Sequence, residues 1–193
     1  MPDLKFSKEK VLTDLIEFSV QRILIHLEDT SKDKELIKAI YPSEEYSVKR
    51  IFNLIDLKNR MKSILFFKEK GRFFEIQKVI SRVCKLANNG NLENNIFSSK
   101  DYVNPDLFEK VCESKVFSLV KELELYFSKN NCDYLKLLNL FESNISNIED
   151  FFDNEKGVLV MSDNTDIRNN RLNLLGLIRN YSLKIADFTL LNS

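Results

Sequence analysis

Tryptophan is absent from the 193-residue chain, histidine occurs once, and cysteine, proline and glycine number only three, three and four. Each scarcity removes a class of chemistry. Cys84, Cys112 and Cys132 are odd in number and widely spaced, which excludes a disulfide scaffold and a Cys/His metal centre. His26 sits within Arg22-Ile23-Leu24-Ile25-His26-Leu27, so it reads as a core or boundary residue of an apolar helix rather than a triad base. The glycines stand alone at 71, 90, 157 and 176, which excludes a phosphate-cradling or dinucleotide glycine loop. No apolar run approaches the roughly 20 residues of a membrane span, and Met1-Pro2-Asp3-Leu4-Lys5 lacks the basic-then-apolar pattern of a secretory signal. A cytoplasmic chain without a catalytic constellation, and without membrane contact, is the expectation.

What is present is a chain that is 44% hydrophobic and 30% charged. It is long enough to bury a substantial core and too short for several independent domains. The scarcity of turn formers points to long elements. Lysine plus arginine and aspartate plus glutamate both number 29, yet the signs are segregated. Residues 46–90 hold 11 basic and 3 acidic side chains, whereas 91–166 hold 7 and 15. A basic segment in a neutral chain suggests a nucleic-acid or acidic partner; differently solvated helix faces are the plain alternative.

Apolar spacings of three and four predict the elements. Leu12, Leu15, Ile16, Ile23 and Leu27 mark a first helix, and Leu36, Ile37 and Ile40 a short second one that stops before Pro42. Val48, Ile51, Phe52, Ile55, Leu57 and Met61, continuing to Phe66, mark a long helix, with Gly71 its stop or kink. Phe73, Ile76, Val79, Ile80, Val83 and Leu86 follow on one face of the next. The Asn- and Ser-rich stretch 88–105 reads as loop, ending in Asn104-Pro105, a cap with proline at the first helical position. Beyond it, Leu107, Val111, Leu119, Leu123 and Phe127 predict one helix, and Asp133 caps another running from Tyr134 to Phe152. These two are expected to form an antiparallel hairpin, since only residues 128–132 lie between them. Val158-Leu159-Val160-Met161 is expected in a buried connecting loop or a short extended segment. A last helix, capped by Asp163 or Asn164, carries Ile167, Leu174, Leu175, Ile178, Tyr181 and Ile185. The fold class is therefore all-α, a bundle of about six to seven helices. Its organisation is expected to be an N-terminal part, 1–90, with the basic segment 46–90, and a C-terminal part, 91–193, packed together.

Phe151-Phe152-Asp153, Val158-Leu159-Val160-Met161, Asp163, Ile167-Arg168-Asn169-Asn170-Arg171-Leu172, Leu174-Leu175 and Ile185-Ala186-Asp187-Phe188 together resemble the end of the β subunit of bacterial glycyl-tRNA synthetase. Weaker similarity continues upstream through Arg82-Val83 to Leu15-Ile16-Glu17-Phe18 and Arg22. That subunit is several times longer, so the chain is expected to be a fragment or the product of a split gene. Asn154-Glu155-Lys156-Gly157 lengthens one loop relative to the common family pattern. The resemblance implies an all-helical anticodon-binding region of the type shared with arginyl-tRNA synthetase. It implies binding of glycine-specific tRNA, and partnership with the α subunit and the rest of the β subunit. ATP and magnesium would sit on the α subunit, with no cofactor in this chain.

Candidate RNA-binding cations are Arg50, Arg60 and Lys62 on the long helix, Arg72 at its end, and Lys78, Arg82 and Lys85 on the next, if both helices face one groove. Phe66, Phe67, Phe73 and Phe74 alternate with charges there, as base-stacking rings or as core. Arg168, Asn170 and Arg171 match the family pattern and lie close to Asp163 and Asp166, which suggests a fold-locking ion-pair and capping network, with Asp153 a structural cap. A helical subunit-interaction or scaffold module without RNA contact is the competing reading.

Overall fold

The computed structural model describes residues 34–40, 53–129 and 133–191, with scattered positions between 7 and 25. Among these residues every regular element is helical. They are α1 (Lys34–Ile40), α2 (Leu54–Glu69), α3 (Phe73–Ala87), a 3₁₀ turn (Pro105–Leu107), α4 (Val111–Ser128), α5 (Tyr134–Ser143), α6 (Ile145–Phe151) and α7 (Thr165–Ser182). The all-α bundle follows the apolar spacing of the sequence. None of these helices is long and apolar enough to cross a membrane. Of the first expected helix, the described positions are helical and include exposed Leu12 and Leu15. Its remaining positions, His26 among them, and Cys132 lie outside the described residues.

The core is organised on α7, whose most extensive contact is with α3. Leu172, Leu174, Leu175, Leu177 and Ile178 are buried, and so are Asn170, Arg171, Arg179, Asn180 and Ser182. A helix buried on nearly all sides must satisfy its polar groups internally, because an unpaired one costs the full desolvation penalty. The long loop before α4 supplies the partners. Asn180 donates to the carbonyls of Glu93 and Ile96 at 2.8 and 2.7 Å. Arg179 donates to Leu92 at 2.6 Å, and Asn170 exchanges two hydrogen bonds with the Asn104 backbone. Residues 88–105 are thus a strap stitched to the central helix rather than a linker.

Several boundaries differ from the sequence reading. Asn104 does cap a segment opening with Pro105, but that segment is a 3₁₀ turn of three residues, and α4 starts at Val111. There Glu113 accepts from the Glu109 and Lys110 backbone N–H groups at 2.8 and 3.0 Å, which satisfies the N-cap donor of the new helix and fixes the residue before it. The helix expected from Tyr134 to Phe152 is two, α5 and α6, broken at Asn144, which is both C-cap and N-cap. In consequence α4 packs against α6 rather than forming a simple hairpin with the whole 134–152 segment. Lys115 near the start of α4 pairs with Asp150 near the end of α6 at 3.2 Å. Helix α7 ends at Ser182, so Ile185 packs from the following turn. The α2–α3 corner is made by Gly71 at φ +67°, a conformation that disfavours any side chain.

Arg60, expected at an RNA surface, is only 1% exposed and belongs to the core. It pairs with Asp56 at 2.9 Å and donates to the carbonyl of Ile40 at 3.0 Å, holding the end of α1. Its position on the apolar face of α2 leaves the guanidinium no route to solvent.

Candidate nucleic-acid interface

Phe73, Ile76, Val79, Ile80, Val83 and Ala87 turn one face of α3 into the core. The helical repeat therefore places Phe74, Lys78, Arg82 and Lys85, at spacings of four, four and three, in one row on the opposite, exposed face. With Leu86 and the edges of Gln77 and Ser81 they line a shallow open depression of about 540 Å³. Lys78 lies 3.7 Å from Glu75 on its own helix, an exposed pair of little energetic weight.

Arg82 belongs equally to a second depression of about 620 Å³, whose other walls include Leu86, Lys110, Phe152, Leu159 and Met161. The Cζ of Arg82 stands 4.4 Å from the centroid of the Phe152 ring. Phe152 in turn packs edge-on against fully buried Phe151, with centroids 5.5 Å apart. Arg82 and Leu86 line both depressions, so the two adjoin along this edge of α3, the second being a groove between α3 and residues 152–162.

That far wall is built by the residues of the C-terminal sequence pattern. Asp153 Oδ1 accepts from the backbone N–H groups of Lys156 and Glu155, both at 2.8 Å. These hydrogen bonds, foremost that from Lys156, hold its carboxyl below the ordinary aspartate range. Gly157 N–H donates to the Asp153 carbonyl and Val158 N–H to that of Phe151, each at 3.1 Å. A Cβ at position 157 would stand 2.4 Å from the Asp153 carbonyl oxygen and 2.6 Å from that of Phe151, so the turn closes over α6 only as glycine. Lys110 Nζ donates to the Glu155 carbonyl at 2.9 Å.

The other end of the wall hangs from α7. Arg171, 3% exposed, pairs through Nε with fully buried Glu113 at 2.9 Å and through Nη2 with Glu109 at 2.6 Å. Its Nη1 donates to the Leu159 carbonyl at 3.1 Å. Burial works against the Arg171 charge, but the hydrogen bonds it donates to Glu113 and Glu109 outweigh it and raise the guanidinium's proton affinity. Arg168 Nη1 donates to the Ser162 carbonyl at 3.1 Å, and Asn164 caps α7. The ion pairs of Arg171 are thus with Glu109 and Glu113 across the fold, not with nearby Asp163 or Asp166. Because the backbone of 153–162 is held at so many points, its side chains divide sharply. Val160 is buried, whereas Leu159 is 71% and Met161 48% exposed. The buried connecting loop read from the sequence is therefore only half right.

The cations singled out in the sequence are dispersed. Lys78, Arg82 and Lys85 come together on α3. Lys62 is exposed on α2 and lines neither depression. Arg72 is engaged at the α2–α3 corner, where it bonds Glu142 in bidentate fashion and Asn139 at 2.9 Å, with its Cζ 4.6 Å from the Phe67 centroid. Arg50 lies outside the described residues. The groove accordingly runs between α3 and the 153–162 loop, not between α2 and α3. Of the four clustered phenylalanines, Phe67 and Phe73 are core, and Phe66 and Phe74 are exposed. Lys110, Phe152, Leu159 and Met161 were not read as site residues, because nothing local in the sequence ties them to Arg82.

No family model matches the chain. It is similar to the glycine-tRNA ligase beta subunit of Picosynechococcus sp., 32% identical over 185 residues that make up 94% of this chain and 26% of that protein. The protein of the same description from Thermodesulfovibrio yellowstonii is 30% identical over 96% of this chain and 25% of its own length. That from Gloeothece citriformis is 29% identical over 94% and 26%. The chain spans about a quarter of the length of these relatives. Nearly all of it is therefore homologous to one part of the glycine-tRNA ligase beta subunit, a component of an aminoacyl-tRNA synthetase.

Proposed function

We propose that the chain is the C-terminal, anticodon-binding part of a glycine-tRNA ligase beta subunit, of the type related to arginyl-tRNA synthetase. In this reading it grips glycine-specific tRNA while an α subunit, carrying ATP and magnesium, performs the aminoacylation. The observation that carries it is the row Lys78, Arg82 and Lys85 along one exposed helix face, leading into a groove. Cations at one-turn intervals can follow a phosphate backbone, and each phosphate neutralised releases counterions. The relatives supply the identity of the RNA, since their names specify a glycine-tRNA ligase.

A second surface suits contact with the rest of the synthetase. Helix α2 exposes Ile55 (74%) and Phe66 (42%) on a face that also carries exposed Lys58, Asn59 and Lys62, a mixed apolar and cationic surface open to a protein partner.

The test is fluorescence anisotropy of the chain with glycine-specific tRNA, the same tRNA with its anticodon changed, and an unrelated tRNA, each at two salt concentrations. Binding that weakens with salt and with the anticodon change is expected. Lys78→Ala and Lys85→Ala should each weaken binding to all RNAs and reduce the salt slope by about one unit. A folded chain that binds none of the three refutes the RNA reading and leaves the α2 surface as the basis for a scaffold role.

A further inference from the structure

We infer that the 153–162 loop and the Arg82–Phe152 pair form a jaw that holds one unpaired, splayed-out nucleobase, a contact that reads the single-stranded loop rather than the phosphate backbone. The inference rests on the RNA-binding reading above and assigns it a specificity element. Three independent features converge on this spot.

Arg82 is the first. Arg60, Arg72, Arg168, Arg171 and Arg179 all spend guanidinium N–H groups on acceptors within the chain. Arg82 makes no hydrogen bond or ion pair with any described residue, and its head group is oriented only by the Phe152 ring. A guanidinium stacked on one face and exposed on the other keeps five donors in a fixed plane. It can stack a base on its open face and meet a base edge or phosphate oxygen with its rim.

The loop is the second. Single exposed apolar side chains are ordinary on protein surfaces. Here, though, Leu159 and Met161 project from a backbone pinned by Asp153, Lys110, Arg168 and Arg171, so they cannot fold inward to lose their exposure. Both line the same groove as Arg82. An apolar wall in one groove with a stacked cation matches an aromatic ring with a polar edge.

The third is charge. Lys78 and Lys85 flank Arg82 on α3, and Lys110 lines the groove that Arg82 enters. The carboxylates there are already engaged, Glu109 by Arg171 and Asp153 by the Lys156 and Glu155 backbone. The groove therefore favours a ligand that is planar, apolar on its faces and anionic at its backbone, which describes a nucleotide better than a peptide.

The experiment measures affinity of the whole chain for glycine-specific tRNA and for the same tRNA carrying an abasic site at each anticodon-loop position in turn. Proteins compared are the parent chain, Arg82→Lys, and the exposed-surface double variant Leu159→Ser/Met161→Ser. Loss of one stacked base is expected to weaken the parent chain about 10-fold at one or two positions. Each variant should lose a similar factor on intact tRNA and nothing further at those positions, with the salt slope unchanged because no cation is removed. Variants that bind intact tRNA like the parent overturn the jaw while leaving the α3 backbone grip standing. Variant losses that simply add to every abasic loss also overturn it, since the residues would then act elsewhere. A folded parent chain that binds no tRNA overturns the RNA reading and the jaw together.

Discussion

Replacing Arg171 with methionine should be among the most damaging single changes available in this fold, although it keeps the volume and apolar stem of the side chain. The guanidinium is 3% exposed and Glu113 is fully buried, so the change leaves a carboxylate in the interior without its counter-charge. Removing one partner of such a pair costs about 3–5 kcal/mol, well above the worth of an exposed ion pair. The second carboxylate, Glu109, is 57% exposed and adds less than about 1 kcal/mol. The Leu159 carbonyl also loses its donor. For a chain of this length the sum lowers the melting temperature by roughly 6–24 °C. Arg171→Lys retains the charge, but one ammonium cannot reach Glu113, Glu109 and Leu159 as the planar fork does, so about 1–3 kcal/mol is expected. Denaturant unfolding monitored by circular dichroism gives these differences directly. Combining Arg171→Met with Glu113→Gln should cost less than the two separate losses together, because both remove the same interaction. A loss under about 1 kcal/mol for Arg171→Met, or strict additivity in the cycle, would refute the assignment of this pair as the lock between α4 and α7.

Two further outcomes are expected. Gly157→Ala must displace the turn over α6, because its Cβ would stand 2.4 Å from a backbone oxygen; a loss of about 1–3 kcal/mol with weakened tRNA affinity is expected, and parent-like behaviour in both would show that the turn is slack. Burial pushes the Cys84 thiol up to about 11, so at pH 8 roughly one molecule in a thousand carries the thiolate, and iodoacetamide should label Cys84 in the folded chain far more slowly than in denaturant; equal rates by peptide mass spectrometry would contradict its burial.

The helices of this protein are legible as patterns. The row of apolar residues from Phe73 to Leu86 repeats with the period of an α-helix, and its complement, Lys78, Arg82 and Lys85, then has to lie outward together. Caps at Asn104, Asp133 and Asn164 are equally local, because each side chain bonds backbone N–H groups two or three residues ahead. The break at Asn144 was not visible in the apolar spacing, because Phe141, Ile145 and Ile148 continue the helical period across it. Arg60 and Lys62 look alike in sequence, two residues apart on one helix, yet one is core and the other surface. The difference is a rotation of about 200° around the helix axis combined with the arrival of the Ile40 carbonyl, which joins Asp56, one turn earlier on the same helix, as a partner of Arg60.

Local periodicity and capping were enough to establish an all-helical chain, the outward cationic row on α3 and the loop character of 153–162, since each depends on neighbours within a few residues. Tertiary packing alone decided that Arg171 would find Glu113 across 58 positions, that Arg82 would settle on Phe152 across 70, and that Leu159 and Met161 would be held in one groove with it. Those contacts arise from the way α3 and α4 pack on the central helix and α6 packs on both of them, and long-range partners leave no periodic trace in the residues that make them.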